Sequence, residues 1–143
     1  MRLTEIQREL LMEEEKDLQK KIGIGMEDDN TRPRLREIDL ILRASEDIKP
    51  TQSDKLEVGH EFTVALDYGD NDKDLLTGIL VEEKVVTNSN LTSIESPLGK
   101  AIVGRRIGEN FNYTVQKDFH VSGRILDANI PTIERAREIV KTK

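Results

Sequence analysis

From Leu3 to Ile22 apolar residues recur at helical spacing: Leu3, Ile6, Leu10, Leu11, Leu18 and Ile22 share a stripe, with Gln, Glu, Lys and Arg elsewhere. Glu13-Glu14-Glu15 interrupts the stripe, so the seam is apolar at both ends and weaker at its centre. Gly23-Ile24-Gly25 stops it. A second amphipathic helix is expected from Pro33 or Arg34 to about Ile48, carrying Leu35, Ile38, Ile41, Leu42 and Ile48, with Asn30 or Thr31 as its cap. Two such helices joined by a short turn should pack antiparallel, each covering the other's stripe. Residues 1–50 are therefore expected to form a helical hairpin, a short coiled coil, and Lys49-Pro50-Thr51-Gln52-Ser53 reads as the linker that ends it. At about 1.5 Å per residue the helices span roughly 30 and 22 Å.

Beyond Leu56 the period changes to two. Phe62, Val64 and Leu66 alternate with Thr63 and Ala65, and Tyr68-Gly69-Asp70-Asn71-Asp72 reads as a turn. Leu75–Val81 and Lys84–Val86 read as a strand or strand pair, Asn88-Ser89-Asn90 as a loop, and Leu91–Ile94 as a further strand. After Gly108, Phe111, Tyr113 and Val115 alternate. Gln116-Lys117-Asp118 turns, and Phe119, Val121, Ile125 and Leu126 supply the return strand. The expected fold class is α+β: the hairpin, an antiparallel β-sheet domain over residues 51–130 with one short helix across it, and a short C-terminal helix over 131–143 whose apolar side is Ile133, Ala136, Ile139 and Val140.

At 143 residues, 36% hydrophobic and 35% charged, the chain suits one small domain with an exposed appendage better than a single large core. It has no cysteine, which excludes disulfide and thiolate chemistry. No apolar run approaches the roughly 20 residues that span a bilayer, and the first residues lack a signal-peptide core, so a cytoplasmic protein is expected. A net charge of -6 argues against general affinity for phosphate backbones. His60 and His120 lie at expected strand edges without a neighbouring nucleophile and read as ordinary surface or edge residues. No residue pattern supports covalent or acid-base catalysis.

Two stretches carry candidate chemistry. The expected hairpin tip, Gly25-Met26-Glu27-Asp28-Asp29-Asn30, places three carboxylates side by side. They read either as a solvated turn that favours the next helix's N-terminus or as hard oxygen ligands for magnesium, which accepts one or two carboxylates plus water. Arg32, Arg34, Arg36 and Arg43 make the following helix basic, which serves either internal charge balance or an acidic partner surface. The second stretch is Thr92–Gly104. There Ser96 can cap a helix with its hydroxyl, Pro97 fits the first helical position, Leu98, Ala101 and Ile102 form a short stripe, and Gly104 supplies a left-handed terminator.

The pattern Ser93-x-x-Ser96-Pro97-Leu98-Gly99-x-Ala101-Ile102-x-Gly104-x-x-x-Gly108-Glu109 resembles the C-terminal signature of the GreA/GreB family of bacterial transcript cleavage factors. The resemblance covers residues 56–128 and is one of arrangement only over residues 1–50. It implies an FKBP-like second domain and no enzyme activity of its own. It implies a bacterial elongation regulator that binds RNA polymerase, with Glu95, Ser96 and Pro97 docking on the coiled coil of the largest subunit and the hairpin entering the secondary channel. Glu27, Asp28 and Asp29 would then assist a magnesium ion shared with the polymerase in cleaving backtracked RNA. The family's tip motif, Gly-Asp followed by Glu-Asn-Ala-Glu-Tyr, is absent, and the hairpin is shorter. The alternatives are a non-cleaving channel binder that competes with longer factors, or an adaptor that uses the same fold against another protein. Nucleic acid is expected to be met only through the polymerase, and a monomer is expected. Prolyl isomerisation, which the FKBP-like fold brings to mind, is disfavoured by three Phe, two Tyr and no Trp.

Overall fold

A computed structural model describes residues 1–142. The chain opens with a two-residue strand, β1 (Arg2–Leu3), followed by helix α1 (Glu5–Gly23). Leu3 does not begin the helix, because Thr4 and Gln7 close a capping box: Thr4 Oγ1 accepts the Gln7 N–H and Gln7 Oε1 accepts the Thr4 N–H. Helix α2 (Thr31–Ala44) returns antiparallel and is followed by β2 (Glu46–Asp47), which pairs with β1 in parallel. The expected extension of α2 to Ile48 is thereby corrected. The Ile48 N–H donates to the Leu3 carbonyl at 2.8 Å, so strand pairing takes the backbone that a longer helix would need. Ile6, Leu11, Leu18 and Ile38 are buried in the seam, with Leu10, Leu35, Ile41 and Leu42 packed around them. At the weak centre of the seam, Glu14 accepts two hydrogen bonds from Arg34, at 2.7 and 2.8 Å.

The second unit is a five-stranded sheet. Strands β3 (Glu61–Gly69) and β4 (Asp72–Val81) form a hairpin whose two turn residues, Asp70 and Asn71, have φ of 51° and 64°. That is the mirror-image turn whose twist suits a β-hairpin. Then come β5 (Leu91–Ser93), helix α3 (Pro97–Ile102), β6 (Asn110–Val115), β7 (Phe119–Asn129) and helix α4 (Ile133–Lys141). The strand order is β5-β4-β3-β7-β6, antiparallel throughout except for the parallel β4·β5 pair. The sheet is the expected antiparallel one apart from this short parallel edge pair. A bulge in β3·β7 pairs Thr63 with Asp127 and Val64 with Ile125. Leu126, the residue passed over, is consequently 44% exposed although it belongs to the return strand.

Both faces of the sheet carry apolar residues. Phe62, Val64, Leu66, Leu80, Phe111, Val121 and Ile125 pack with Ile102 of α3 on one face. Ile79 and Val81 of β4, with Leu91, receive the hairpin and α4 on the other. Lys84–Val86 is not a strand. Residues 82–90 run as an irregular loop along the hairpin, where Gln7 Nε2 donates to the Glu83 carbonyl at 2.7 Å and Arg34 donates to the Val85 carbonyl at 3.0 Å. Val85 and Val86 are apolar because they cover helices.

Candidate functional site

The corner at residues 93–99 is built by local rules. Ser93 Oγ donates to the Glu82 carbonyl and accepts the Glu95 N–H, pinning the end of β5 to the loop beside it. Ser96 is extended, and its hydroxyl accepts the Gly99 N–H at 3.0 Å while donating to the Ser93 carbonyl at 2.7 Å. Pro97 occupies the first helical position, where no donor is needed. The turn is tight enough that a Cβ on Gly99 would lie 1.8 Å from the Ser93 carbonyl oxygen. Glu95 and Pro97 are exposed on either side of half-buried Ser96. Among the described residues Glu95 makes no ion pair. The arrangement is a rigid shelf that presents one carboxylate and one proline ring.

The hairpin tip is ordered by its own acids. Asp28 Oδ1 accepts the Asn30 N–H at 2.9 Å and the Thr31 hydroxyl at 3.0 Å, and Thr31 Oγ1 accepts the Asp28 N–H at 3.0 Å. The Asn30 N–H, followed by the Thr31 hydroxyl, holds the Asp28 carboxyl below its ordinary value. Asn30 stands at the cap position of α2 but its side chain makes no capping bond; buried Thr31 locks the turn instead. Glu27 is clasped by Arg32 at 2.8 and 3.3 Å. Of the three acids only Asp29 makes no side-chain hydrogen bond or ion pair among the described residues. No group of three or more His, Asp or Glu there could hold a metal ion.

The arginines of α2 serve internal charge balance where they are paired: Arg32 with Glu27, Arg34 with Glu14 and Glu37, Arg43 with Asp39. The Glu14 carboxyl is pulled down chiefly by its hydrogen bonds from Arg34, and the Arg34 guanidinium is correspondingly pushed up. His120 is exposed. His60 stands at a strand edge, just before β3, but the surface alternative is corrected: it is 1% exposed. Its Nδ1 accepts the Glu57 N–H at 3.3 Å and its Nε2 faces the Thr51 carbonyl at 3.0 Å, so it carries its proton on Nε2 and ties the linker to the sheet. Nothing in its local sequence signals this role, because the partners are backbone groups.

Sequence reasoning missed the bracing of the hairpin. On one side the 82–90 loop reaches Arg34, and on another α4 contributes Ala136 and Ile139 to the same apolar cluster while Arg137 clasps Glu9 with distances down to 2.6 Å. The side-chain amides of Asn88 and Asn90 donate to the Val140 and Ile139 carbonyls, closing the end of α4 against that loop. The part of α1 beyond the Glu14–Arg34 pair, Glu15–Gly23, rises only about 14 Å.

A family model described as transcription elongation factor, GreA/GreB, C-terminal, matches residues 52–129. Among solved structures, the chain is similar to GreA factor homolog 1 (Gfh1) of Thermus thermophilus, at 19% identity over 90% of this chain and 98% of that one with a TM-score of 0.40. It is also similar to Gfh1 of Thermus aquaticus, at 19% identity over 90% and 97% with a TM-score of 0.40. A GreA/GreB elongation factor from Nitrosomonas europaea aligns at 18% identity over 90% and 98% with a TM-score of 0.41. No curated protein sequence matches.

Proposed function

The chain belongs to the GreA/GreB family of transcription elongation factors, and on that premise we propose that it regulates RNA polymerase from the secondary channel without stimulating RNA cleavage. In this reading Glu95, Ser96 and Pro97 dock on the coiled coil of the largest subunit. The corner suits that task because its backbone is held by four side-chain hydrogen bonds from Ser93 and Ser96, so little order is lost when a partner grips it. The hairpin then enters the channel and occupies it against longer factors.

The observation that carries the non-cleaving reading is the state of the tip. Asp28 uses one carboxylate oxygen in its own turn and Glu27 pairs with Arg32, so a metal shared with the polymerase would have to compete with these partners for both, and only Asp29 has no side-chain partner among the described residues. The short free span beyond Glu14 points the same way. The test is RNA cleavage in a backtracked elongation complex with magnesium, comparing wild type with a variant carrying Glu27→Ala, Asp28→Ala and Asp29→Ala. Both proteins are expected to bind polymerase, to leave the transcript at full length and to slow cleavage stimulated by a longer family member. If wild type shortens the transcript and the variant does not, the tip is the metal-assisting site and the proposal fails. A pull-down that retains some other protein and no polymerase subunit would favour the adaptor reading.

A further inference from the structure

The end of the sheet remote from the hairpin gathers four of the chain's scarce aromatic residues. The chain has five aromatic rings, three Phe and two Tyr. Tyr68 stacks on Phe119 with centroids 6.2 Å apart, and Tyr113 on Phe111 at the same separation. Pairing of Tyr113 with Val121 and of Val115 with Phe119 puts these side chains on the face that α3 covers nearer its middle. If they only closed off the core, they would be buried. Yet Phe119 is 47% exposed and Val115 36%, and Tyr68 and Tyr113 are half-buried. Ser93 lies opposite Val81, at the other end of β4 from Asp72, so roughly 30 Å of strand separates this patch from the docking corner.

The same end is acidic. Asp67, Asp70, Asp72, Asp74 and Asp118 face only Lys73 and Lys117 in the two turns, a net charge of -3 out of the chain's -6. None of the five makes an ion pair among the described residues, although Asp67 lies opposite Lys73 and Asp67 and Asp74 each accept a backbone N–H. Half-exposed aromatic rings beside unpaired carboxylates match one side-chain chemistry in particular. A guanidinium stacks flat on a ring while its edge donates to a carboxylate, whereas an ammonium does the second without the planar stack.

We propose that this aromatic, acidic end of the sheet is a second docking surface, which binds an arginine-bearing segment of a partner protein. The charge repels nucleic acid and anionic lipid, and the apolar rim at Val115 and Phe119 suits a polypeptide better than a free cation. The ordinary ionisation of Tyr68 is displaced upward by burial first and then by the charges of Asp74 and Asp72, the acidic strand residues nearest it across β3·β4. The surface stands apart from the corner and the hairpin, so the inference does not rest on the polymerase reading.

The test is a titration of the full isotope-labelled chain with hexa-arginine, hexa-lysine and hexa-glutamate peptides, followed by nuclear magnetic resonance. Hexa-arginine should shift Tyr68, Tyr113 and Phe119 first, hexa-lysine should bind more weakly, and hexa-glutamate should shift nothing. The double variant Asp72→Asn, Asp74→Asn, in exposed positions that leave the core intact, should weaken hexa-arginine binding about tenfold. Phe119→Ala should do the same in a chain whose amide spectrum shows it still folded. Equal binding of the two cationic peptides, shifts that spread over the Glu5–Glu15 face of α1, or affinity unchanged in both variants would each overturn the proposal.

Discussion

Replacing Gly99 by alanine tests whether the corner owes its shape to close backbone approach. The added Cβ would sit 1.8 Å from the Ser93 carbonyl oxygen, 2.7 Å from its carbon and 2.9 Å from the Ile94 Cα. All three atoms are backbone, so no side-chain rotation relieves the clash. Contacts of this kind are essentially never closer than 3.0 Å, and the first turn of α3 must therefore move away from Ser93 by more than 1 Å. That motion breaks the hydrogen bonds of the Ser96 hydroxyl to the Ser93 carbonyl and from the Gly99 N–H, and opens the packing of buried Ile102. Overpacking plus a lost cap amounts to about 3 kcal/mol, which for a chain of this length lowers Tm by roughly 10 °C. Calorimetry and urea unfolding measure it directly. Gly104→Ala is the matched control: its φ is +81° but nothing lies within 4 Å of the added atom, so only the conformational cost of about 1 kcal/mol applies. If Gly99→Ala loses no more than Gly104→Ala, the corner is not held by close approach and the argument for a rigid shelf falls with it.

Two further outcomes follow from the geometry. Glu95→Lys and Pro97→Ala change exposed groups, so each should weaken binding to polymerase while Tm stays within about 2 °C of wild type; unchanged binding by the folded variants would remove the corner from the interface. The Glu14–Arg34 pair predicts an acid dependence. Because the folded Glu14 carboxyl titrates below its unfolded value, the pair's contribution is complete above about pH 4.3 and is lost as pH falls through the lowered folded value. Glu14→Gln should cost roughly 1 kcal/mol in urea unfolding at pH 7 and close to nothing at pH 2; a loss of equal size at both would place the effect in packing and not in charge.

What the sequence discloses about this fold depends on how local the causes are. The corner at Ser96, Pro97 and Gly104 was legible because cap, first-turn proline and left-handed terminator act within a few residues. The start of α1 is misplaced at Leu3 because Leu3 shares the stripe, although Thr4-x-x-Gln7 has the spacing of a capping box that would have marked it. Ile48 and Lys84–Val86 were misassigned for the opposite reason. Their environment is set by segments far along the chain, by Leu3 in one case and by the hairpin in the other. The tip shows the limit for function. Three adjacent acids announce negative charge, but whether a carboxylate is free depends on partners such as Thr31 and Arg32, and only the turn geometry brings those to it.

The apolar cluster at the hairpin's root contains Leu3 and Ile6 from the beginning of the chain and Ala136 and Ile139 from near its end. During synthesis the helices and most of the sheet emerge before α4 exists, so for that interval Ile79, Val81 and the hairpin's inner stripe lack one wall. Contacts spanning so much sequence form late and slow folding. The last wall of the cluster that sets the hairpin's direction is thus added only when α4 docks, after the hairpin and the 82–90 loop are already in contact.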